Sequence, residues 1–419
     1  MGCGERSGSP RIEGVVSVGP GSGGPSAVER DGVSGERAFL DWNAGAPMGA
    51  AARAALVSAL DRVGNASSVH AEGRAARNLV EGARRSVAAL VGADPERVLF
   101  TSGGTEANAT ALTPDHKVGG KPFRARRLFV SAVEHPSVLA GGRFAAEDVE
   151  TLPVDGAGRL DLAALERRLA AFGGDVLVSV MAANNETGVI EPVAEAAALV
   201  KAAGGLFHVD AVQAVGKIPV SAAAIGADYL TVSAHKIGGP QGVGALVLAA
   251  PDTEPAALLT GGGQERRRRA GTEPVALIGA FGAAAAEIAE HVADGRAVRR
   301  LRDWLEGRLD LICPATVIFG REAVRLPGTV SFAVEGVSAE TAMIALDLAG
   351  VAVSSGSACS SGKVLPSHVL AAMGVDPALA KGAIRVSFGW STTEGDLARF
   401  VEAWTRLVER LGVRARHAA

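Results

Sequence analysis

The sequence predicts an α/β protein, with a mostly parallel central sheet in a large domain and a smaller α+β domain beside it. Three observations carry this. From Phe39 onward, short β-rich runs alternate with stretches of helical periodicity. Those runs are continuously apolar, as expected of parallel strands covered by helices on both faces. After about residue 290 the alternation gives way to an Arg-rich helix followed by short strands and helices. A chain of 419 residues has room for both domains. Its 48% hydrophobic content supplies a core, and an aromatic share of 4% makes that core aliphatic.

Residues 1–36 are rich in Gly, Ser and Pro without periodicity, and are expected to be a disordered extension, dispensable or the product of a misassigned start. They hold no apolar segment suited to a signal peptide, and Glu5, Glu13, Glu29, Asp31 and Glu36 are too acidic for a transit peptide. "MGCGER" has Arg6 where a myristoylation site wants Ser or Thr. The large domain is expected over 51–290. Within it "RNLVEGARRSVAALVGA" sets Leu79, Ala83, Val87 and Leu90 on one helical face. Strands are predicted at 97–100, 127–131, 175–181, 206–210 and 229–233, with "EPVAEAAALVKAAG" as one intervening helix. The smaller domain is expected over 37–50 and 291–419, with a helix at 296–311. No internal repeat is evident.

A formal charge of -3 gives no bias toward nucleic acid or anionic membranes. The only strong basic run, Arg266 to Arg269, lacks interleaved aromatics and is expected to be a solvated loop near a subunit boundary. No apolar run reaches the roughly 18 residues that would span a bilayer. Cys3, Cys313 and Cys359 have no paired spacing, which favours a reducing cytoplasm over a disulfide framework. Neither C-x-x-C nor H-E-x-x-H occurs, so no metal site is expected.

In an open parallel sheet, ligands bind beyond the carboxyl ends of the strands. "RVLF" is followed by "TSGGTEANATAL", where two glycines precede a helix starting at Thr105: an anion site, or a plain N-cap. "LFHV" ends in Asp210, with Gln213 three residues on. A carboxylate there needs a cation or donors. It is either another cap or the partner of a protonated ring nitrogen. "YLTV" is followed by "SAHKIGGPQGVGAL", which sets Lys236 at the sheet rim between stretches of buried character. A desolvated lysine has a lowered pKa and can form a Schiff base with a carbonyl. An anion hole, a buried carboxylate and an amine together suit pyridoxal phosphate.

"FLDWNAGAP", "GNASSVHAEGR", "TSGGTEAN", "EHPSV", "ANNETGVIEP", "HVDAVQAVGK", "SAHKIGGPQGVGAL", "GGGQERRRRAGTEP", "SSGSACSSGK" and "IRVSFG" together resemble the cysteine desulfurases of the class V aminotransferase group, over roughly residues 38–400. That resemblance implies a fold type I, aspartate aminotransferase-like pyridoxal-phosphate enzyme that takes sulfur from L-cysteine and leaves L-alanine. It implies that Lys236 holds the cofactor covalently, Asp210 pairs with its ring nitrogen, and Gln213 bonds its phenolic oxygen. Gly104, Thr105, Ser233 and His235 match the phosphate-binding set. Thr272 matches a residue reaching in from the neighbouring subunit, hence a homodimer. His135 would stack on the ring, Asn185 would lie near cofactor and substrate, and Arg385 would grip the substrate carboxylate. Cys359 matches the sulfur acceptor that becomes a persulfide, passed on to a sulfur acceptor or iron–sulfur scaffold protein. Its neighbours Gly356, Ser357, Ala358, Ser360, Ser361 and Gly362 are small and wrong for a core. The long "SSGSAC" form resembles the nitrogen-fixation and housekeeping subgroup.

Ala66, Gly45 and Ala46 depart from the family pattern without removing a reactive group, and "RLVERLGVRARHAA" lacks the longer tail with which some members dock their scaffold. The rival readings are a selenocysteine lyase or another class V aminotransferase, and a non-catalytic binding paralogue. Aminotransfer needs no thiol, and a binding paralogue has no use for Lys236, Asp210, His135 and Cys359 together.

Overall fold

The computed structural model describes residues 37–292, 295–355 and 366–412. The proposed N-terminal extension and Cys359 with its flanking Gly and Ser residues lie outside the described residues.

Seven strands build the central sheet: β1 (Val98–Thr101), β2 (Arg127–Ser131), β3 (Val149–Leu152), β4 (Val176–Met181), β5 (Leu206–Asp210), β6 (Tyr229–Ser233) and β7 (Gly244–Leu248). Their order is β1-β7-β6-β5-β4-β2-β3. The pairs β6·β5, β5·β4, β4·β2 and β2·β3 are parallel, whereas β7 runs antiparallel to both β1 and β6. The predicted strands match within one residue at each end. β3 and β7 went unpredicted as strands, β3 because "VETL" has only two strongly apolar side chains.

Eight of the helices position the rest: α1 (Ala50–Leu60), α2 (Ala71–Leu90), α3 (Gly104–Ala111), α4 (Leu162–Phe172), α5 (Val193–Ala203), α6 (Val275–Val292), α7 (Gly295–Ile312) and α8 (Glu394–Arg410). α2 buries Gly73, Ala76, Val80, Ala83, Arg84, Val87 and Ala88. The predicted stripe is therefore turned by about one residue, for Leu79 and Leu90 are only half-buried. The reason is close packing: a Cβ on Gly282 of α6 would lie 2.4 Å from the Ala83 Cα. Small residues bring the two helices together and push the leucines aside. α6 also corrects the expectation about apolar runs, since at 18 residues it is long and apolar enough to cross a membrane. It buries Ile278, Phe281, Ala285 and Ile288 inside the protein, with Phe281 edge-on to Phe100, and so serves as a core helix.

A second apolar cluster surrounds a three-stranded antiparallel sheet of β8 (Val317–Ile318), β9 (Thr329–Ala333) and β10 (Ile384–Ser387), backed by α7 and α8. Its centre is Phe332 against Trp404, ring centroids 5.0 Å apart and perpendicular. Ala38–Phe39 pairs in parallel with Val351–Ala352, and Ser387 N donates to Leu40 O, which stitches the chain's early segment to this cluster. Asn43 and Ala44, just beyond that stitch, lead into the site.

Candidate active site

Asp210 ends β5 and Ser233 ends β6, so the parallel register brings both to the carboxyl rim. Asp210 is buried, with Oδ2 accepting from Asn108 Nδ2 at 2.8 Å and Oδ1 from Val212 N at 3.0 Å. A carboxylate has about four acceptor positions, so room remains for a cationic partner. Asn108 comes from α3 and also donates to Ser137 Oγ at 2.9 Å; Ser137 Oγ lies 2.8 Å from His135 Nδ1. One amide thus links the carboxylate to the histidine that caps the short helix Pro136–Leu139. His135 is exposed.

α3 starts at Gly104 after Gly103, with no side-chain cap. Thr105 is therefore not the capping residue; it is exposed in the first turn, among backbone N–H groups left over at a helix start. A Cβ on Gly104 would meet Val212 Cγ2 at 3.0 Å and Ser233 Cβ at 3.6 Å, so glycine permits close approach here. Ser233 Oγ lies 2.9 Å from His235 Nδ1, and burial with the adjacent Lys236 pulls His235 down to about 4. A neutral ring is the result.

Lys236 follows β6 in a tight turn, Ala234–Lys236. Its Nζ faces inward, donating to Asn43 O and, at 2.8 Å, to Ala44 O. Desolvation and the Arg385 guanidinium pull its ammonium down to about 8, against the opposing pull of Asp41 and Asp210. Gln213 is buried and donates through Nε2 to the same Asn43 O at 2.9 Å.

Arg385 sits on β10 with 4% exposure. Its Nη1 donates to Asn185 O at 3.0 Å and its Nη2 to Asp41 Oδ1 at 2.6 Å, while Nε is buried without an acceptor. Asn185 is half-buried in the turn after β4, and Asn43 Nδ2 also donates to its carbonyl, at 3.0 Å. Thr272 is exposed and takes no part in this network. Cys359 lies outside the described residues, yet both flanks of its segment are anchored at the site. Ser354 N and O bond the Arg385 backbone. On the other side Ser367 Oγ donates to Glu186 Oε2 at 2.6 Å, and His368 Nε2 lies 2.9 Å from Glu134 O. Glu186 and Glu134 are the chain neighbours of Asn185 and His135.

The structure therefore gathers Gly104, Ser233 and His235 at one edge, Gln213 and Lys236 on the Asn43 carbonyl, and Arg385 with the Asn43 side chain on the Asn185 carbonyl; Asp210 joins His135 through Asn108 and Ser137. Sequence reasoning missed Asp41, Asn43, Asn108, Glu134 and Lys217. Asn43 and Asp41 occur in "DWNAGAP", where only Gly45 and Ala46 depart from the family pattern; nothing local shows that a residue as far from Lys236 in sequence as Asn43 holds its amine. The arginine run is partly the solvated loop expected, with Arg266 and Arg267 exposed and Arg268 and Arg269 half-buried. Arg266 Nη1 donates to Glu96 O, Arg268 pairs with Glu254, and Arg269 Nε meets Glu106 Oε1 at 2.9 Å. These contacts tie the loop to the protein body.

The family model for aminotransferase class-V matches residues 38–400. The chain is 43% identical over 387 residues to a cysteine desulfurase of Cereibacter sphaeroides, covering 90% of this chain and 97% of that protein. It is 39% identical over 390 residues to an IscS-like cysteine desulfurase of Mycobacterium tuberculosis, covering 91% and 98%. Among solved structures, a NifS-like protein from Rickettsia africae superposes with a TM-score of 0.79 at 33% identity, covering 89% of this chain and 100% of that one. SspA in complex with cysteine superposes with a TM-score of 0.69 at 25% identity, covering 84% and 98%.

Proposed function

The chain belongs to the aminotransferase class-V family, among its cysteine desulfurases and with their fold type I architecture, and we propose that it removes sulfur from L-cysteine with pyridoxal phosphate, giving L-alanine and a persulfide on Cys359. The residues present fit that cofactor. Asp210 is a buried carboxylate with acceptor capacity to spare, suited to a protonated ring nitrogen. The Gly104 approach, with Thr105, Ser233 and His235, would take the phosphate. Lys236 is an inward, desolvated amine suited to a covalent link, with His135 to lie against the ring and Gln213 to donate to its oxygen. Bound there, the cofactor supplies an electron sink for the substrate α-carbon.

The chain's own groups do the rest. Arg385 holds the substrate carboxylate with its planar fork, beside Asn185. The Cys359 thiolate attacks the substrate sulfur: an S–S bond forms, the C–S bond breaks, and its electron pair stays with the carbon skeleton that leaves as alanine. The observation that carries this reading is the anchoring of the two flanks of the Cys359 segment, one on Arg385 itself and the other on the chain neighbours of Asn185 and His135. We propose further that residues 37–50 and 291–419 work as a small domain beside 51–290. We also propose that the enzyme is a cytoplasmic homodimer in which Thr272 serves the partner's site. Exposed Val57, Leu60, Val63 and Val69 offer a face for such a partner. The recipient of the sulfur would be an acceptor or iron–sulfur scaffold protein. The test is incubation with L-cysteine, measuring alanine and sulfide, then mass spectrometry of the Cys359 peptide. A peptide heavier by one sulfur atom is expected; alanine formation with that peptide unmodified would refute the assignment.

A further inference from the structure

Lys217 lies in the turn region after β5, half-buried, with its Nζ turned inward. Its acceptors are Gln213 Oε1 at 2.5 Å and Asn43 Oδ1 at 2.6 Å. An ammonium has hydrogens to give and no lone pair, so whichever end of an amide it meets must be the oxygen. This decides the orientation of two amides at once. With Oε1 held by Lys217, the Gln213 Nε2 can point only the other way, onto Asn43 O, where the Lys236 Nζ also donates. With Oδ1 held, Asn43 turns its Nδ2 to Asn185 O at 3.0 Å and Thr329 Oγ1 at 3.1 Å. A flipped Gln213 would set an NH2 group against Nζ and an oxygen against a carbonyl, losing two hydrogen bonds inside a buried site. Burial, together with the charges of Lys236 and Arg385, draws the Lys217 ammonium well below its ordinary value. Even the free amine, which has a lone pair, keeps two hydrogens for the two oxygens, and the Gln213 Nε2 bond to the Asn43 carbonyl, a pure acceptor, requires the same orientation.

We propose that Lys217 is a positioning residue whose Nζ locks the Gln213 amide with its donor end toward the cofactor oxygen beside Lys236. The proposal rests on the reading of the site as a pyridoxal-phosphate site. It assigns Lys217 no contact with substrate or cofactor; its effect passes through Gln213.

The test is the pH titration of the visible absorption band of the purified holoenzyme, in wild type, Lys217→Met, Gln213→Ala and the double variant. Losing a donor at the ring oxygen leaves more negative charge beside the titrating proton and raises the midpoint. Each single variant is expected to raise it by about half a pH unit or more, the size of one hydrogen bond. The double variant should go no further than Gln213→Ala alone, because Lys217 acts only through that amide. Lys217→Arg, again a pure donor, should restore the wild-type midpoint. Shifts that add in the double variant would mean that Lys217 acts through its charge, and would overturn the proposal; so would a Lys217→Met titration that does not move. If Lys217→Met does not fold, Lys217→Gln replaces it, with a smaller upward shift expected and an unmoved midpoint again fatal. Wild-type protein that takes up no coloured cofactor would overturn the reading of the site itself, an outcome distinct from both.

Discussion

Arg385 Nη2 donates to Asp41 Oδ1 at 2.6 Å, and the two residues come from opposite ends of the chain. Asp41 orients the guanidinium without enclosing it, since Nε is left without an acceptor. A lysine here would keep the charge and lose the fork. Arg385→Lys should therefore raise KM for L-cysteine about 10- to 100-fold, the worth of a charge-assisted pair, with the cofactor band unchanged. Steady-state kinetics at fixed pH provides the check. An unchanged KM would remove Arg385 from substrate recognition.

Lys236 makes a pH prediction. Only the free amine attacks an aldehyde, and burial together with Arg385 has pulled this ammonium down to about 8. The rate at which cofactor-free protein takes up pyridoxal phosphate should climb as pH rises and level off above about 8. A midpoint near the ordinary lysine value of 10.5 would show that the site does not desolvate the amine. Lys236→Ala should lose the cofactor adduct on borohydride reduction, read by mass spectrometry of the peptide.

The sheet was legible in the sequence because its strands are continuously apolar, and chemistry-bearing residues follow them directly. Asp210 and Lys236 could be found that way, one strand apart. What lay hidden was tertiary. Arg84 falls on the core face of α2, where a helical pattern wants an apolar residue, and only the fold reveals Glu265 waiting for it. Asn43 likewise carries no local signal, because its role depends on contacts with Lys217, Asn185 and Lys236 that are remote in the chain.

That buried pair yields a stability prediction. Arg84 Nη1 and Nη2 bond the two Glu265 oxygens at 2.8 and 2.9 Å, and Oε2 also accepts from Phe100 N at 3.0 Å. Glu265 opens a run of three residues, with Arg266 and Arg267, at positive φ of 45, 55 and 68°. Non-glycine residues hold such a backbone only where their surroundings compel it. Glu265→Ala strips the buried Arg84 guanidinium of its two-oxygen partner, leaving it Glu81 and the Val98 carbonyl, and should cost about 1.5–3 kcal/mol in denaturant unfolding. Arg84→Met combined with Glu265→Gln should recover most of that. Equal losses in the single and double variants would mean that the pair is not what holds the loop.

Cys359→Ser separates sulfur transfer from cofactor chemistry. A hydroxyl cannot accept sulfur, so L-cysteine turnover to alanine and sulfide should fall to background while the visible band persists. Retained turnover would assign the sulfur-accepting role elsewhere.

Glu191 offers a test of burial alone. It is 3% exposed; Oε2 accepts from Leu160 N at 2.9 Å, and Oε1 has no partner. Desolvation raises its pKa to about 8 from an ordinary 4.5. Between those values the folded protein keeps a proton that the unfolded chain releases, so rising pH favours unfolding across that window. Wild-type stability should accordingly carry a decline from about 4.5 to about 8 that flattens above it. Gln cannot ionise, and its oxygen can still receive Leu160 N. Glu191→Gln should match wild type at acid pH and exceed it at pH 8 by on the order of 1–3 kcal/mol. Urea unfolding of both proteins at pH 5 and 8 measures the difference. A gap of the same size at the two pH values would show that the carboxyl does not titrate with folding.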